Sequence, residues 1–245
     1  MASKTIVLVS GANQGLGYEM CKKLATEQPD FHILVASRDD KRGREAAATL
    51  QDLQGTVEAV QLDISKDNSI EACVKWIDTK FGRLDVLINN AAISDYSVRD
   101  EPTIRAMMQK CFDTNVFGTA SLTDACVPLL QKGTVPRIVF VSSEMGSVGN
   151  TLDPKFPYYG AHYVSYKASK SAVNMLGAMY AVKHGKDGFK VNVCCPGLRA
   201  TNFAGPLSGT GGDPEEGAIN ACRLATVGAD GEMGTFTNLE GTLPW

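Results

Sequence analysis

Residues 163–170 read YVSYKASK, where two Tyr-x-x-x-Lys spacings overlap: Tyr163 with Lys167, and Tyr166 with Lys170. Side chains four apart stack on one face of a helix, so either pair sets a phenol one turn from an ammonium. An ordinary tyrosine keeps its proton up to a pKa of about 10. A cation within roughly 4–6 Å favours the phenolate and draws that value down, which suits the phenol to exchange a proton with a substrate oxygen near neutral pH. The chemistry on offer is proton transfer, and spacing alone leaves both registers open.

A second constellation lies near the start of the chain. The run TIVLV at 5–9 leads into SGANQGLG, Ser10 to Gly17, and then into a helix-length segment. Gly11, Gly15 and Gly17, with Asn13, Gln14 and Leu16 among them, are spaced G-x-x-x-G-x-G, which differs from the general G-x-G-x-x-G fingerprint. A glycine-rich strand-to-helix turn lets backbone N–H groups and the helix dipole approach a pyrophosphate. A merely tight turn would use only two of the three glycines; between the first strand and first helix of an alternating series, this one reads as a dinucleotide site. The second strand ends VASRD, so Ser37 and Arg38 stand where an NAD site presents an acid to the ribose hydroxyls. Arg38 offers a planar fork for a 2′-phosphate and favours NADP(H); the plainer alternative is a solvated surface arginine.

These residues need a frame, and the β-branched runs supply it at 5–9, 31–36, 57–61, 84–88, 136–141 and 189–194, with a last strand near 234–237. Helix-length segments at 15–28, 40–54, 67–80, 100–112, 115–131 and 164–184 alternate with them. Asp67 and Asp100 are candidate N-caps, and Gly82 is a stop signal. Strand–helix alternation implies parallel strands joined by right-handed crossovers. The fold expected is α/β: one Rossmann-type doubly wound domain over 1–245, a mostly parallel seven-stranded sheet flanked by helices on both faces. The aperiodic stretch 198–213 reads as a lid over a substrate site.

Composition narrows the function classes. Basic and acidic residues nearly balance, for a net charge of −3, and no basic run suggests a nucleic-acid partner. The N-terminal apolar run, Ile6 to Val9, is too short for a signal-peptide core or a membrane span. Seven cysteines without C-x-x-C, and three histidines none spaced with a cysteine, indicate no metal site. Free buried thiols fit a reducing cytoplasm, and Cys194 and Cys195, neighbours in a strand, point to opposite faces.

In order along the chain stand SGANQGLG, Leu62-Asp63, Asn89-Asn90-Ala91-Ala92, Asn115, Val141-Ser142-Ser143, YKASK at 166–170, and Pro196-Gly197 followed by Thr201. With these motifs the chain resembles the short-chain dehydrogenase/reductase family over nearly its whole length, and within it the NADP-dependent carbonyl reductases. The resemblance implies the register Tyr166–Lys170, because the family motif is Tyr-x-Ala-Ser-Lys; Tyr163 is then left to line the substrate side or to pack. It implies that Ser143 hydrogen-bonds the substrate carbonyl, while strand alternation turns Ser142 away. It implies that Lys170 tunes Tyr166 and bonds the nicotinamide ribose. By the same resemblance Asn115 holds a water against that lysine; by itself it reads equally as a helix cap. Leu62 and Asp63 match the segment whose aspartate contacts the adenine, Asn90 and Ala91 residues near the ribose, and Pro196, Gly197 and Thr201 the border of the nicotinamide.

Four departures bear on these expectations. Ala92 replaces a frequent glycine, and Asn13-Gln14 stand where many NADP-dependent relatives have a second basic residue, leaving Arg38 helped by Arg42. Arg199 occupies an aliphatic position and reaches either an acidic substrate group or water. The interval 144–163 is longer than in short family members, and Pro154 and Pro157 argue for a fixed loop there. Within it and the lid, Glu144, Tyr163 and Phe203 are candidate substrate contacts, against the alternative of plain surface cover. The segment carrying Tyr166 is apolar nearly all round, so a second stripe needs cover; the resemblance implies a homodimer or homotetramer there, unless the longer loop covers it, as in monomeric carbonyl reductases. The activity expected is NADPH-dependent exchange between a ketone or aldehyde and an alcohol. A lyase, isomerase or cyclase that retains NADP(H), or a non-catalytic sensor, is the competing reading.

Overall fold

The apolar runs become seven parallel strands in a computed structural model that describes residues 4–245. In chain order these are β1 (Thr5–Ser10), β2 (Phe31–Ser37), β3 (Thr56–Gln61), β4 (Val86–Asn89), β5 (Arg137–Val141), β6 (Lys190–Cys194) and β7 (Phe236–Thr237). They lie in the order β3-β2-β1-β4-β5-β6-β7. The order reverses beside β1, so a crevice opens where the chain changes direction, at the carboxyl ends of β1 and β4.

Helices fill both faces: α1 (Gly15–Glu27), α2 (Asp40–Ala48), α3 (Asp67–Phe81), α4 (Asp95–Val98), α5 (Ile104–Phe112), α6 (Thr119–Leu130), α7 (Val148–Leu152), α8 (Val164–His184) and α9 (Pro214–Ala225). Each strand feeds two cores because its side chains alternate. Leu8, Leu34 and Phe140 pack with Ile77 of α3, Leu122 of α6 and Val173 of α8. Val7, Val9 and Ile33 pack on the other face with Met20 and Leu24 of α1 and Leu224 of α9.

Several boundaries fall elsewhere than the sequence reading sets them. The fourth strand begins at Val86, not residue 84, and the last keeps only Phe236–Thr237. The second helix stops at Ala48, where the chain turns and buries Leu50. Asp100 caps nothing: α5 begins at Ile104, and its cap is Thr103, which accepts from the Ala106 N–H at 3.2 Å. Asp67 sits inside the first turn of α3, with Lys66 at the cap position, while Gly82 ends that helix at φ 70°. The reading also passes over α9, although Asp213 caps it and Pro214 opens it.

Between α5 and α6 the chain does not break. Asp113–Gly118 forms a π-turn that joins the two into one continuous rod. Asn115 therefore lies inside a helix and is not its cap. Gly118 is required there, because a side chain would run into the backbone carbonyl of Ile64. On α8, Val173 and Tyr180 are buried, whereas Met175, Met179 and Val182 form a stripe 57–79% exposed. The 144–163 interval folds into a short 3₁₀ turn, α7 and a loop, and leaves that stripe uncovered. No helix among the described residues is long and apolar enough to cross a membrane.

Candidate active site

A cleft of about 1080 Å³ runs along the carboxyl ends of the strands. Every candidate site residue except Asn115 lines it: the glycine-rich turn, Ser37, Arg38, Leu62, Asp63, Asn90, Ala91, Ser143, Glu144, Tyr163, Tyr166, Lys170, Pro196, Gly197, Thr201 and Phe203. Residues far apart in sequence meet there because most lie at or just after a strand end, and α8 brings Tyr163, Tyr166 and Lys170 to the same edge.

At one end, β1 passes into α1 through Gly11 at φ 64° and Gly15 at φ 56°. Asn90 donates from its side chain to the carbonyls of Ser10 at 2.9 Å and Gly11 at 3.2 Å, so its carboxamide braces the turn from the end of β4. Gly17 is packed so tightly that a Cβ would sit 2.5 Å from the Gly11 oxygen and 2.6 Å from Asn90 Nδ2. The first turn of α1 has no side-chain cap and no acidic residue, which leaves its N–H groups and positive dipole end for an anion. Beside the turn, Arg42 donates to Gln14 Oε1 at 2.5 Å, and both line the cleft with Arg38. Burial pushes the Asp63 carboxyl up, but the Ser65 hydroxyl and N–H, with Lys66 and Arg38 nearby, hold it below the ordinary value. Ser37, buried, donates to the Asp39 carbonyl at 2.8 Å.

At the other end stand Ser143, Tyr166 and Lys170. Lys170 is 4% exposed; its Nζ donates to the Val141 carbonyl at 2.8 Å and lies 5.7 Å from the centre of the Tyr166 ring. The overlapping pair is arranged differently, for Lys167 Nζ reaches the Tyr158 carbonyl at 3.2 Å and so ties α8 to the preceding loop. Ser142 points beneath α8, donating to Asn174 Oδ1 at 2.5 Å.

The electrostatics depart from the expected lowering of the phenol. Burial, with the Cys195 thiol beside it, pushes Tyr166 well above the ordinary tyrosine value, and a hydrogen bond from Ser143 only partly opposes this. Burial also pulls Lys170 down to about 8, against the upward pull of neighbouring thiols. In the protein alone, desolvation is the largest influence on the phenol, and Tyr166 keeps its proton at neutral pH. Burial and the nearby Glu240 raise Glu144, which borders Ser143 in the cleft.

Asn115 sits behind the cleft wall, 1% exposed. It accepts from the Ile93 N–H and donates to the Ile93 carbonyl, both at 2.8 Å, and donates to Ser169 Oγ of α8 at 2.9 Å. Arg199 lines the cleft with its guanidinium already engaged, bound to Glu216 at 2.7 Å and to the Pro196 carbonyl at 2.6 Å. The segment 198–213, read from the sequence as a lid, carries a 3₁₀ segment, Asn202–Thr210, kinked at Gly205 with φ 54°. The Phe203 ring meets the Tyr166 ring edge-on at 5.7 Å.

Two residues of the cleft have no counterpart in the sequence reading. Cys195, whose thiol burial pushes up to about 11, stands next to Tyr166 with nothing in sequence to single it out. Asp95 is 8% exposed and accepts from the Tyr166 N–H at 2.6 Å across 71 positions of chain. Its single sequence signal is an acid in an otherwise weakly polar stretch after Asn89-Asn90.

Known proteins resemble this chain in sequence and in fold. The family model described as short chain dehydrogenase matches residues 5–210. A protein of Penicillium roqueforti named short-chain dehydrogenase anuI is 36% identical over 98% of this chain and 96% of its own length. A (+)-neomenthol dehydrogenase of Arabidopsis thaliana is 30% identical, covering 93% of this chain and 94% of itself. The solved structure of salutaridine reductase from Papaver somniferum superposes with a TM-score of 0.78 at 26% identity, covering 96% of this chain and 100% of that one.

The packing around Gly17 is testable. Gly17→Ala is expected to destabilise the fold by about 1–3 kcal/mol, since the Gly11 carbonyl is backbone and the Asn90 carboxamide is held by its own hydrogen bonds to the turn. Thermal unfolding should show the loss, and titration with NADPH should show weakened binding in the same variant.

Proposed function

Because the chain belongs to the short-chain dehydrogenase family of oxidoreductases, we propose that it interconverts a ketone or aldehyde and an alcohol with NADP(H), Tyr166 carrying the proton. The observation that carries this reading is the single cleft. It has an uncapped glycine-rich turn with Arg38 at one end, and Ser143, Tyr166 and Lys170 together at the other. Two of the similar proteins bear the names of a dehydrogenase and a reductase, which supports an alcohol–carbonyl couple.

The residues present fit a dinucleotide. The free N–H groups of the first turn of α1 would hold the pyrophosphate, and Gly15 faces Thr201 closely enough that a Cβ would lie 3.6 Å from the threonine side chain. Arg38, with Arg42 already oriented by Gln14, would pair with the 2′-phosphate. When bound, the nicotinamide supplies the hydride in reduction and takes it in oxidation.

In reduction, the hydroxyls of Ser143 and Tyr166 together hold the carbonyl oxygen. Tyr166 releases its proton as charge develops there, and the Lys170 ammonium stabilises the phenolate left behind. A phenol whose proton is held tightly by burial suits this direction. The substrate is a small molecule enclosed by Tyr163, Glu144 and Phe203. A second copy of the chain covers the exposed stripe of Met175, Met179 and Val182. The seven buried free thiols suit a cytoplasmic location.

Steady-state oxidation of NADPH, with NADH in parallel, against aliphatic, aromatic and polycyclic carbonyls tests the reading. Tyr166→Phe is expected to lower turnover by about 10²–10⁴-fold, the usual worth of a proton donor, and Tyr163→Phe to leave turnover largely intact. NADH used as readily as NADPH would remove the role given to Arg38; tight NADPH binding with no carbonyl reduced would favour a non-redox enzyme.

For reduction, kcat/KM is expected to stay level at low pH and to fall as pH rises through about 8, where Lys170 loses the charge that stabilises the phenolate. A profile level through that range would separate Lys170 from the proton-transfer step. Light scattering should give at least a dimer mass, and Met179→Glu should lower it; a wild-type monomer contradicts the assembly.

A further inference from the structure

Asp95 opens the four-residue α4, yet its carboxylate is used on another helix. Its Oδ1 accepts from the Tyr166 N–H at 2.6 Å, and the Ser165 N–H also bonds the carboxylate. The start of α8 has no cap of its own, since Tyr163 holds the cap position without a side-chain hydrogen bond. The first N–H groups of a helix lack intrahelical partners. Ser165 is completely buried, so water cannot satisfy them in place of the carboxylate. An anion also complements the positive end of the helix dipole.

The neighbours of Asp95 hold the lid. Ser94 Oγ donates to the Phe203 carbonyl at 3.2 Å. The Tyr96 ring lies so close to Gly205 that a Cβ there would come within 2.5 Å of it. Phe203 in turn touches the Tyr166 ring. Ile93, one residue before Ser94, is locked through both its N–H and its carbonyl by Asn115. Three consecutive residues thus hold the backbone of Tyr166 and two points of the lid, on a stretch that cannot slide.

We propose that Asp95 is a positioning residue: it sets Tyr166 through the backbone N–H of that residue and, with Ser94 and Tyr96, registers the lid against the catalytic helix. The proposal rests on Tyr166 being the proton donor. Asp95 does not itself transfer the proton, because the carboxylate is engaged by backbone N–H groups.

The test compares wild type, Asp95→Asn and Asp95→Ala by carbonyl-dependent NADPH oxidation and by peptide-resolved hydrogen–deuterium exchange. Asp95→Ala is expected to lower kcat by on the order of 10–100-fold through misplacement of Tyr166, with KM for NADPH unchanged. Exchange should rise on the order of tenfold at 163–168, as on loss of a helix cap, and should rise at 202–206 as well. Asp95→Asn, which keeps an acceptor oxygen, should restore most of both. Wild-type kcat in Asp95→Ala well below its Tm overturns the proposal even if Tm has dropped, and so does unchanged exchange at 202–206. If Asp95→Ala does not fold, Ser94→Ala decides from the lid side: faster exchange at 202–206 with lower kcat supports the coupling, and unchanged exchange there overturns it. A wild type that reduces no carbonyl removes the functional reading alone, since exchange still decides whether Asp95 couples helix and lid.

Discussion

An ammonium buried without a carboxylate partner is the constraint around which the site is built. Removing a cation from water is costly unless dipoles replace its hydration. At Lys170 the visible replacement is the Val141 carbonyl, at the end of the strand that also delivers Ser143. The lysine thus fixes how α8 lies on β5, because its head must find that carbonyl. Gly146 is required for the same reason: a Cβ there would come within 2.7 Å of the Lys170 backbone, so the chain after Ser143 passes directly over the helix. What remains of the cost appears in the lowered basicity of the amine, which brings its titration toward the physiological range.

The stretch after β4 distributes this order to the rest of the cleft. Asn90 braces the glycine-rich turn, and Ile93 is held by Asn115 from the π-turn. That π-turn shifts the helical register by enough to aim a carboxamide sideways, into backbone that an ordinary helix would leave unmet. The glycine-rich end of the cleft and the end that holds Tyr166 and Lys170 are therefore joined by hydrogen bonds to one short run of chain.

Much of this was legible in the sequence, and the rest was hidden for definite reasons. Buried parallel strands read as continuous apolar runs, so Val7–Val9 and Ile33–Val35 announced themselves, as did the order of motifs that follow the strand ends. The cap reading of Asn115 failed because an asparagine that caps a helix and one inside a helical bulge look alike in sequence. Asp95 stayed invisible because its partner is a backbone N–H far along the chain, and backbone groups carry no sequence signal. The downward shift expected for Tyr166 failed since a spacing of four reveals the lysine but not the depth at which both groups lie. Arg199 looked available for substrate until α9, unrecognised, supplied Glu216.

The base of the segment 198–213 is closed upon itself. Gly212 and Leu198 are joined by a hydrogen bond, Ala200 bonds back to Gly212, and Arg199 fastens both sides to α9. A loop tied at its neck can vary in length at small thermodynamic cost, because doubling an already closed segment adds only about 0.6 kcal/mol of closure entropy. The eleven or so residues between touch the rest of the chain at a few points, Thr201 beside Gly15 and Phe203 and Gly205 against the stretch after β4, and length can be added between those points. A frame of this kind can take insertions or grafts at that neck without renegotiating its core.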